Sequence, residues 1–161
     1  MATTQSAADT HALQQLDDRA KVTDLVYRLG VYLDEGRFEE MHELLVENAT
    51  VRTPGGQAEG RDSVISQAQR NHRPSQRFQH VTTNVLVDLD GDRAKVRANL
   101  VVHIAIPGDA PAGAPATQQQ CAVGEVYNFE VVRTTDGWRF VRIATFPLWM
   151  SGSLPPNPPE A

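Results

Sequence analysis

One cysteine is all that this chain of 161 residues contains. Cys121 therefore has no internal partner for a disulfide and no second thiol for a zinc pair, which favours a reducing compartment and a cytoplasmic protein. Met1 to Thr10 lacks the basic patch and apolar run of a secretory leader, and no stretch approaches the roughly 20 apolar residues of a membrane span. Positive charge is also in short supply, with 15 Lys and Arg against 20 Asp and Glu, a net charge of -5. That balance argues against a phosphate backbone, so nucleic acid is not expected as a partner. There is no Gly-rich phosphate loop and no serine nucleophile elbow. His11, His42 and His72 sit in polar surroundings with no carboxylate or second histidine at ligand spacing, so neither a metal nor a cofactor is expected.

What remains is an ordinary globular composition, 40% hydrophobic and 22% charged, long enough for one domain with its own core. The small polar residues 1–9 and the proline-rich residues 152–161 are expected to be tails around a domain at 10–151. From Thr10 to Leu33, the residues Leu13, Leu16, Ala20, Val22, Leu25, Val26, Leu29 and Tyr32 recur at helical spacing, and the helix is expected to end before Gly36. A second helix is expected over Phe38 to Leu45, a short strand over Asn48 to Thr53, and a third helix from Arg61 to about Asn71. Beyond that the period falls from 3.6 to 2. Phe78 to Leu89 and Ala94 to Ile106 flank the hairpin signal Asp90-Gly91-Asp92, and Pro107 to Thr117 reads as a loop. Gln120 to Arg133 and Trp138 to Leu148 then flank a turn ending at Asp136-Gly137. Helices followed by strands specify an α+β domain, a curved antiparallel sheet wrapped around three N-terminal helices to enclose a cone-shaped pocket.

Two polar residues interrupt this plan. Asp34 lies at the C-terminus of the first helix, where the helix dipole disfavours a carboxylate. It shares a helical face with Tyr27 and with Gly30, whose missing side chain leaves room beside the helix. His80 opens the first long strand and is expected to lie opposite the apolar row Val81, Val85, Val87 and Leu89, although the Thr82-Thr83-Asn84 run is prone to a bulge that shifts the facing. The plainer readings are a solvated acid and a strand-end histidine satisfied by backbone. Tyr27, Tyr32, Asn84 and Asn99 are candidate hydrogen-bonding groups, and Phe146, Trp149 and Met150 candidate pocket-mouth residues.

The ordered set Tyr32-Leu33-Asp34-Glu35-Gly36-Arg37-Phe38, Gly60-Arg61-Asp62, Gln79-His80-Val81-Thr82-Thr83-Asn84-Val85, Asp90-Gly91-Asp92 and Asp136-Gly137-Trp138-Arg139-Phe140 resembles the SnoaL-like branch of the nuclear transport factor 2-like superfamily, over about Asp9 to Ser151. The resemblance implies that Asp34 and His80 occupy the positions of the catalytic dyad of dehydratase and dehydrochlorinase members. It makes His103 the nearest candidate for a further histidine used by scytalone dehydratase. Thr53 stands where ketosteroid isomerase carries its base, and Arg133, near a turn and expected to meet solvent, is no counterpart of the dehydrochlorinase arginine. The function so implied is a cofactor-independent lyase or isomerase acting on an apolar, carbonyl-bearing small molecule such as a polyketide, steroid or aromatic intermediate. The alternatives are a non-catalytic ligand-binding or dimerisation module and an aldol-type polyketide cyclase. A homodimer built on the outer face of the sheet is expected, because the alternation leaves both sheet faces partly apolar.

Overall fold

The computed structural model describes residues 2–106 and 118–153. The expected loop at Pro107 to Thr117 and nearly all of the proline-rich tail lie outside the described residues. The elements are α1 (Ala2–Glu35), a 3₁₀ turn (Glu39–Glu43), β1 (Leu45–Thr53), β2 (Gly56–Glu59), α2 (Arg61–Asn71), β3 (Arg77–Asp90), β4 (Arg93–Ile106), β5 (Gln118–Thr134) and β6 (Gly137–Gly152). The strands form one sheet in the order β2-β1-β6-β5-β4-β3. The class is α+β, as the residue pattern implies. Among the described residues, no helix is long and apolar enough to cross a membrane.

Three details differ from the expected plan. The segment expected as a second helix is only a 3₁₀ turn. Too few residues separate Gly36 from β1 for a full helix, and the carbonyl of Leu44 is already taken by the amide of Phe140 at 2.7 Å. The sheet is mixed rather than wholly antiparallel, because β1 joins β6 in parallel register while its hairpin with β2 turns at Pro54-Gly55. Helix α1 starts at Ala2, so residues 2–9 continue the helix instead of forming a tail. Leu13 and Leu16, expected to face inward, are 67% and 64% exposed. Helix burial begins only at Asp18, from where Val22, Leu25, Val26, Leu29, Tyr32 and Leu33 face the sheet at i, i+3, i+4 and i+7. At its other end α1 stops at Gly36, whose φ of 69° closes the helix while the Arg37 amide reaches back to the Tyr32 carbonyl at 2.8 Å.

The core lies between α1 and the sheet, centred on Met41, Leu45, Phe129, Val131 and Phe140. A buried ion pair ties the helix to the far end of the sheet. The Asp18 carboxylate accepts from both terminal nitrogens of Arg133 at 2.7 and 2.6 Å and from Trp138 Nε1 at 3.2 Å. Arg133 also donates from Nε to Asp92 at 2.9 Å and lies over the Trp138 ring. Arg133 is thus a structural cation joining α1, the β3–β4 turn and β6, not the solvent-facing turn residue expected. Its hydrogen bonds hold the Asp18 carboxyl well below the usual carboxylate range, against the opposing effect of burial.

Removing one partner of such a pair leaves the other charge poorly compensated. Asp18→Ala is expected to lower the unfolding free energy by about 2–4 kcal/mol, the lower end reflecting the partial exposure of Arg133. The check is a urea unfolding curve, in which an unchanged midpoint would contradict this role.

Candidate active site

Helix α1 brings Asp34 against the start of β3. The Asp34 carboxylate accepts the backbone amide of His80, at 3.0 and 2.9 Å from its two oxygens, and lies 2.5 Å from His80 Nδ1. An ionised carboxylate only accepts, so Nδ1 carries the proton and donates, leaving Nε2 as the bare nitrogen. The close approach depends on Gly30, where a Cβ would stand 3.3 Å from the Cβ of His80. The His80 side chain is 5% exposed and that of Asp34 22%. The pair is thus largely withdrawn from water, and the carboxylate unfavourably placed at a helix C-terminus finds its compensation in N–H donors.

The facing of His80 comes from a feature that simple alternation misses. Asn84 adopts φ 52°, and the pairing of β3 with β4 slips between Thr83 and Leu86. This bulge reverses the phase of the strand. Phe78, His80 and Thr82 face inward before it, and Val85, Val87 and Leu89 after it, while Val81 is turned out. His80 therefore lies on the same face as most of the apolar row it was expected to oppose.

His80 opens onto a cavity of about 790 Å³, within the usual range for small-molecule sites. The walls are mostly apolar, with Leu29 and Leu33 from α1, Leu100, Val102 and Ile104 from β4, and Ile143 from β6. Trp149, Leu148 and Met150 stand partly exposed along one side. Trp149 fits there because Gly124 has no side chain, since a Cβ would come within 2.1 Å of its ring. Besides His80, polar groups are few: Thr53 from β1, His72, Gln67 and Asn71 from α2 and its end, Glu125 and Tyr127 from β5, and Thr145 from β6.

Of the residues singled out in the sequence, the structure brings Asp34, His80, Trp149 and Met150 to this site. Tyr27 is 47% exposed and lies away from the cavity. Tyr32 is buried, with the Arg37 guanidinium 4.3 Å over its ring, and does not line the space. Asn84 forms the bulge, and Asn99 accepts from Arg97 at 2.7 Å at the surface. His103 falls between the cavity-lining Val102 and Ile104, so strand alternation turns it to the other face. Phe146 likewise lines a depression on the outer face, beside Arg97 and Arg142.

Four cavity groups were not singled out from the sequence. His72, read there as an isolated polar histidine, packs 5.4 Å from the His80 ring and 4.5 Å from the Phe78 ring, centroid to centroid. Its Nδ1 donates to the Ala68 carbonyl at 2.8 Å. Burial first, and the neighbouring His80 second, push its pKa down to about 4. Gln67 is only 4% exposed, and its Oε1 has no hydrogen-bond partner among the described residues. Burial pushes the Glu125 carboxyl up, against the opposing effects of the Thr145 hydroxyl and the His80 ring. Burial likewise keeps Tyr127 a neutral phenol. The strand alternation Val123, Glu125, Tyr127 would have placed Glu125 and Tyr127 on one face, but their sharing a cavity with His80 depends on the curvature of the sheet. His42, also read as lacking a carboxylate neighbour, meets Asp62 at 3.2 Å on the surface. Among the described residues, no three His, Cys, Asp or Glu side chains are grouped to hold a metal ion.

A curved sheet closed by helices over an apolar cavity, with a carboxylate-held histidine in its wall, defines a cone-shaped α+β domain of the nuclear transport factor 2-like kind. The chain belongs to the SnoaL-like domain family, whose model matches residues 14–144. It is 28% identical to the uncharacterized protein Rv2910c of Mycobacterium tuberculosis, over 81% of this chain and 86% of that protein. Among solved structures it is similar to an NTF2-like protein with a cystatin-like fold from Novosphingobium aromaticivorans (26% identity, TM-score 0.67, covering 84% of this chain and 85% of the other). It is also similar to a scytalone dehydratase-like protein from the same organism (19%, 0.73, 88% and 91%) and to a type 2 hexachlorocyclohexane dehydrochlorinase, LinA (17%, 0.74, 93% and 99%). At these last identities the likeness is one of fold.

The buried, neutral His72 makes stability depend on pH. Its pKa is lower folded than unfolded, so between about pH 6.5 and 4 the unfolded chain binds the extra proton and is favoured as pH falls. Urea unfolding at pH 7 and pH 4.5 is expected to show a loss in which His72 accounts for roughly 2 kcal/mol. His72→Phe should lose correspondingly less, and equal losses in the two proteins would contradict the assignment.

Proposed function

We propose that this chain is a cofactor-independent lyase or isomerase that abstracts a proton from an apolar, carbonyl-bearing small molecule, with His80 as general base and Asp34 as its orienting partner. The observation that carries this reading is the single arrangement at the α1–β3 junction: Nδ1 of His80 is held by Asp34 at 2.5 Å, and the ring itself lines an apolar cavity. A carboxylate on Nδ1–H fixes the tautomer with Nε2 free, and it stabilises the imidazolium formed when Nε2 takes a proton. The apolar walls favour a hydrophobic ligand body, and the hydrogen-bonding groups among them suit a carbonyl whose α-carbon is thereby made acidic. The names of the dehydratase-like and dehydrochlorinase neighbours agree in kind, since both reactions begin with loss of a proton from carbon. Aldol-type cyclisation would use the same pair on a longer substrate.

Proton abstraction is expected to be measurable as deuterium uptake at the α-carbons of 4-phenylbutan-2-one, read by proton NMR. Asp34→Asn should reduce it by about 10²-fold or more and His80→Ala by about 10²–10⁴-fold, with the fold retained. An unchanged rate in His80→Ala would leave the ligand-binding reading ahead.

We also propose that the protein works as a cytoplasmic homodimer through the outer sheet face, where Phe146 is exposed beside Arg97, Glu130 and Arg142. Self-pairing of opposite charges around an apolar centre suits a two-fold interface. Light scattering should give twice the 17.7-kDa chain mass, falling to the single mass in Phe146→Glu. A monomer at all concentrations would contradict it.

A further inference from the structure

The reading above uses one proton-transfer group, yet the cavity contains a second. Glu125 lines the same space as His80 from a different strand. The register fixes their relation: His80 pairs with Val102 and Val102 with Val123, while Thr82 pairs with Leu100 and Leu100 with Glu125. Glu125 therefore stands on the face shared by His80, two strands across and one pleat along. Strand geometry puts their Cα atoms ~12 Å apart. That spacing leaves room for a substrate group between the two side-chain ends.

The titratable groups facing Glu125 are His80 from β3, with Asp34 of α1 behind it, His72 at the end of α2, and Tyr127 on its own strand. Thr145 adds a neutral hydroxyl from β6. Among the described residues, no Lys or Arg lines this cavity, and burial raises the Glu125 pKa. Its carboxyl is thus the lining group most suited to carry a proton that it can also give up. Tyr127 holds its own proton more tightly still, and His72 is committed to the Ala68 carbonyl and kept neutral. A carboxyl that burial shifts toward its protonated form and an imidazole whose Nδ1 is held by Asp34 thus stand at two points of one cavity, an acid and a base.

We propose that Glu125 is the general acid of this cavity and that its substrate is a β-hydroxy carbonyl compound from which water is eliminated, an inference that rests on His80 being the base. His80 Nε2 takes the proton from the carbon next to the carbonyl. The electron pair left behind forms the carbon–carbon double bond as the β-carbon–oxygen bond breaks toward oxygen, and the Glu125 proton moves onto that oxygen to release water. Imidazolium and carboxylate remain, and transfer of the proton from His80 to Glu125 through water restores both. A plain double-bond shift would need only one shuttling base, whereas departure of a hydroxyl needs an acid at a second atom. Gln67, with its buried and unpartnered Oε1 on the α2 wall, gives a substrate hydroxyl a place to donate before it leaves.

The test uses 4-hydroxy-4-phenylbutan-2-one, an aryl β-hydroxy ketone, and reads two events on the full chain: deuterium uptake at the α-carbon by NMR, and formation of the conjugated enone by ultraviolet absorbance. The wild-type chain should accelerate both over buffer. Glu125→Gln keeps the shape but has no acid proton, so elimination should fall about 10²-fold or more, and by a larger factor than uptake, while an unchanged circular dichroism spectrum shows that the variant folds. Glu125→Asp, which keeps an acid, should recover part of the elimination. His80→Ala should lose both. Elimination unchanged in Glu125→Gln overturns the role of Glu125 alone, whereas both events unchanged in His80→Ala overturn the base on which it rests. A wild-type chain inert toward this compound overturns the substrate class.

Discussion

The hold of one carboxylate on one histidine organises this molecule. Asp34 accepts both the amide and the ring nitrogen of His80, which joins the end of α1 to the start of β3 and fixes the imidazole in one tautomer. Everything near it serves that approach. Gly30 lets the helix lie against the strand, Gly36 ends the helix immediately after the acid, and the buried faces of Leu29 and Leu33 set the rotation that aims Asp34 at β3. At the other end of α1, Asp18 on Arg133 and Trp138 does the corresponding mechanical work. Two acids of one helix thus clamp it to the sheet at both ends of its buried half, one inside the site and one remote from it.

The cavity is walled by α1, α2 and strands of the sheet, beside a core in which Phe129 and Phe140 are fully buried. Low polarity then acts on the few ionisable groups left in the walls. Burial keeps His72 neutral and shifts Glu125 toward its protonated form.

Much of the fold was legible because it rests on periodicity. The change from 3.6 to 2 after Pro74, and the hairpins at Asp90-Gly91 and Asp136-Gly137, locate β3 and β4 nearly to the residue, whereas β5 starts earlier and β6 runs on to Gly152, past the expected Leu148. Asp34 and His80 were legible for a different reason: each was out of keeping with its local setting, and the motif order placed them together. What stayed hidden was tertiary. The Thr82-Thr83-Asn84 run signalled the bulge but not its effect, which was to turn Val81 out and His80 in; the parallel β1–β6 pairing left no local mark, and β2 is too short for periodicity. Tyr27 and Phe146 looked like site residues because aromatic side chains suit either face of an element, and helix phase and strand alternation turned them outward. Glu125 and His72 were passed over because nothing nearby in sequence distinguishes a carboxylate or imidazole in a cavity wall from one in water.

The central claim is that Asp34 holds the His80 ring with Nδ1 protonated and Nε2 free toward the cavity. Nitrogen-15 NMR of the imidazole in the full chain, followed across a pH series, reads this directly. The account predicts a protonated-type shift at Nδ1 and an unprotonated-type shift at Nε2, with the preference lost in Asp34→Ala. A proton resident on Nε2, or a tautomer mixture indifferent to Asp34, would contradict it.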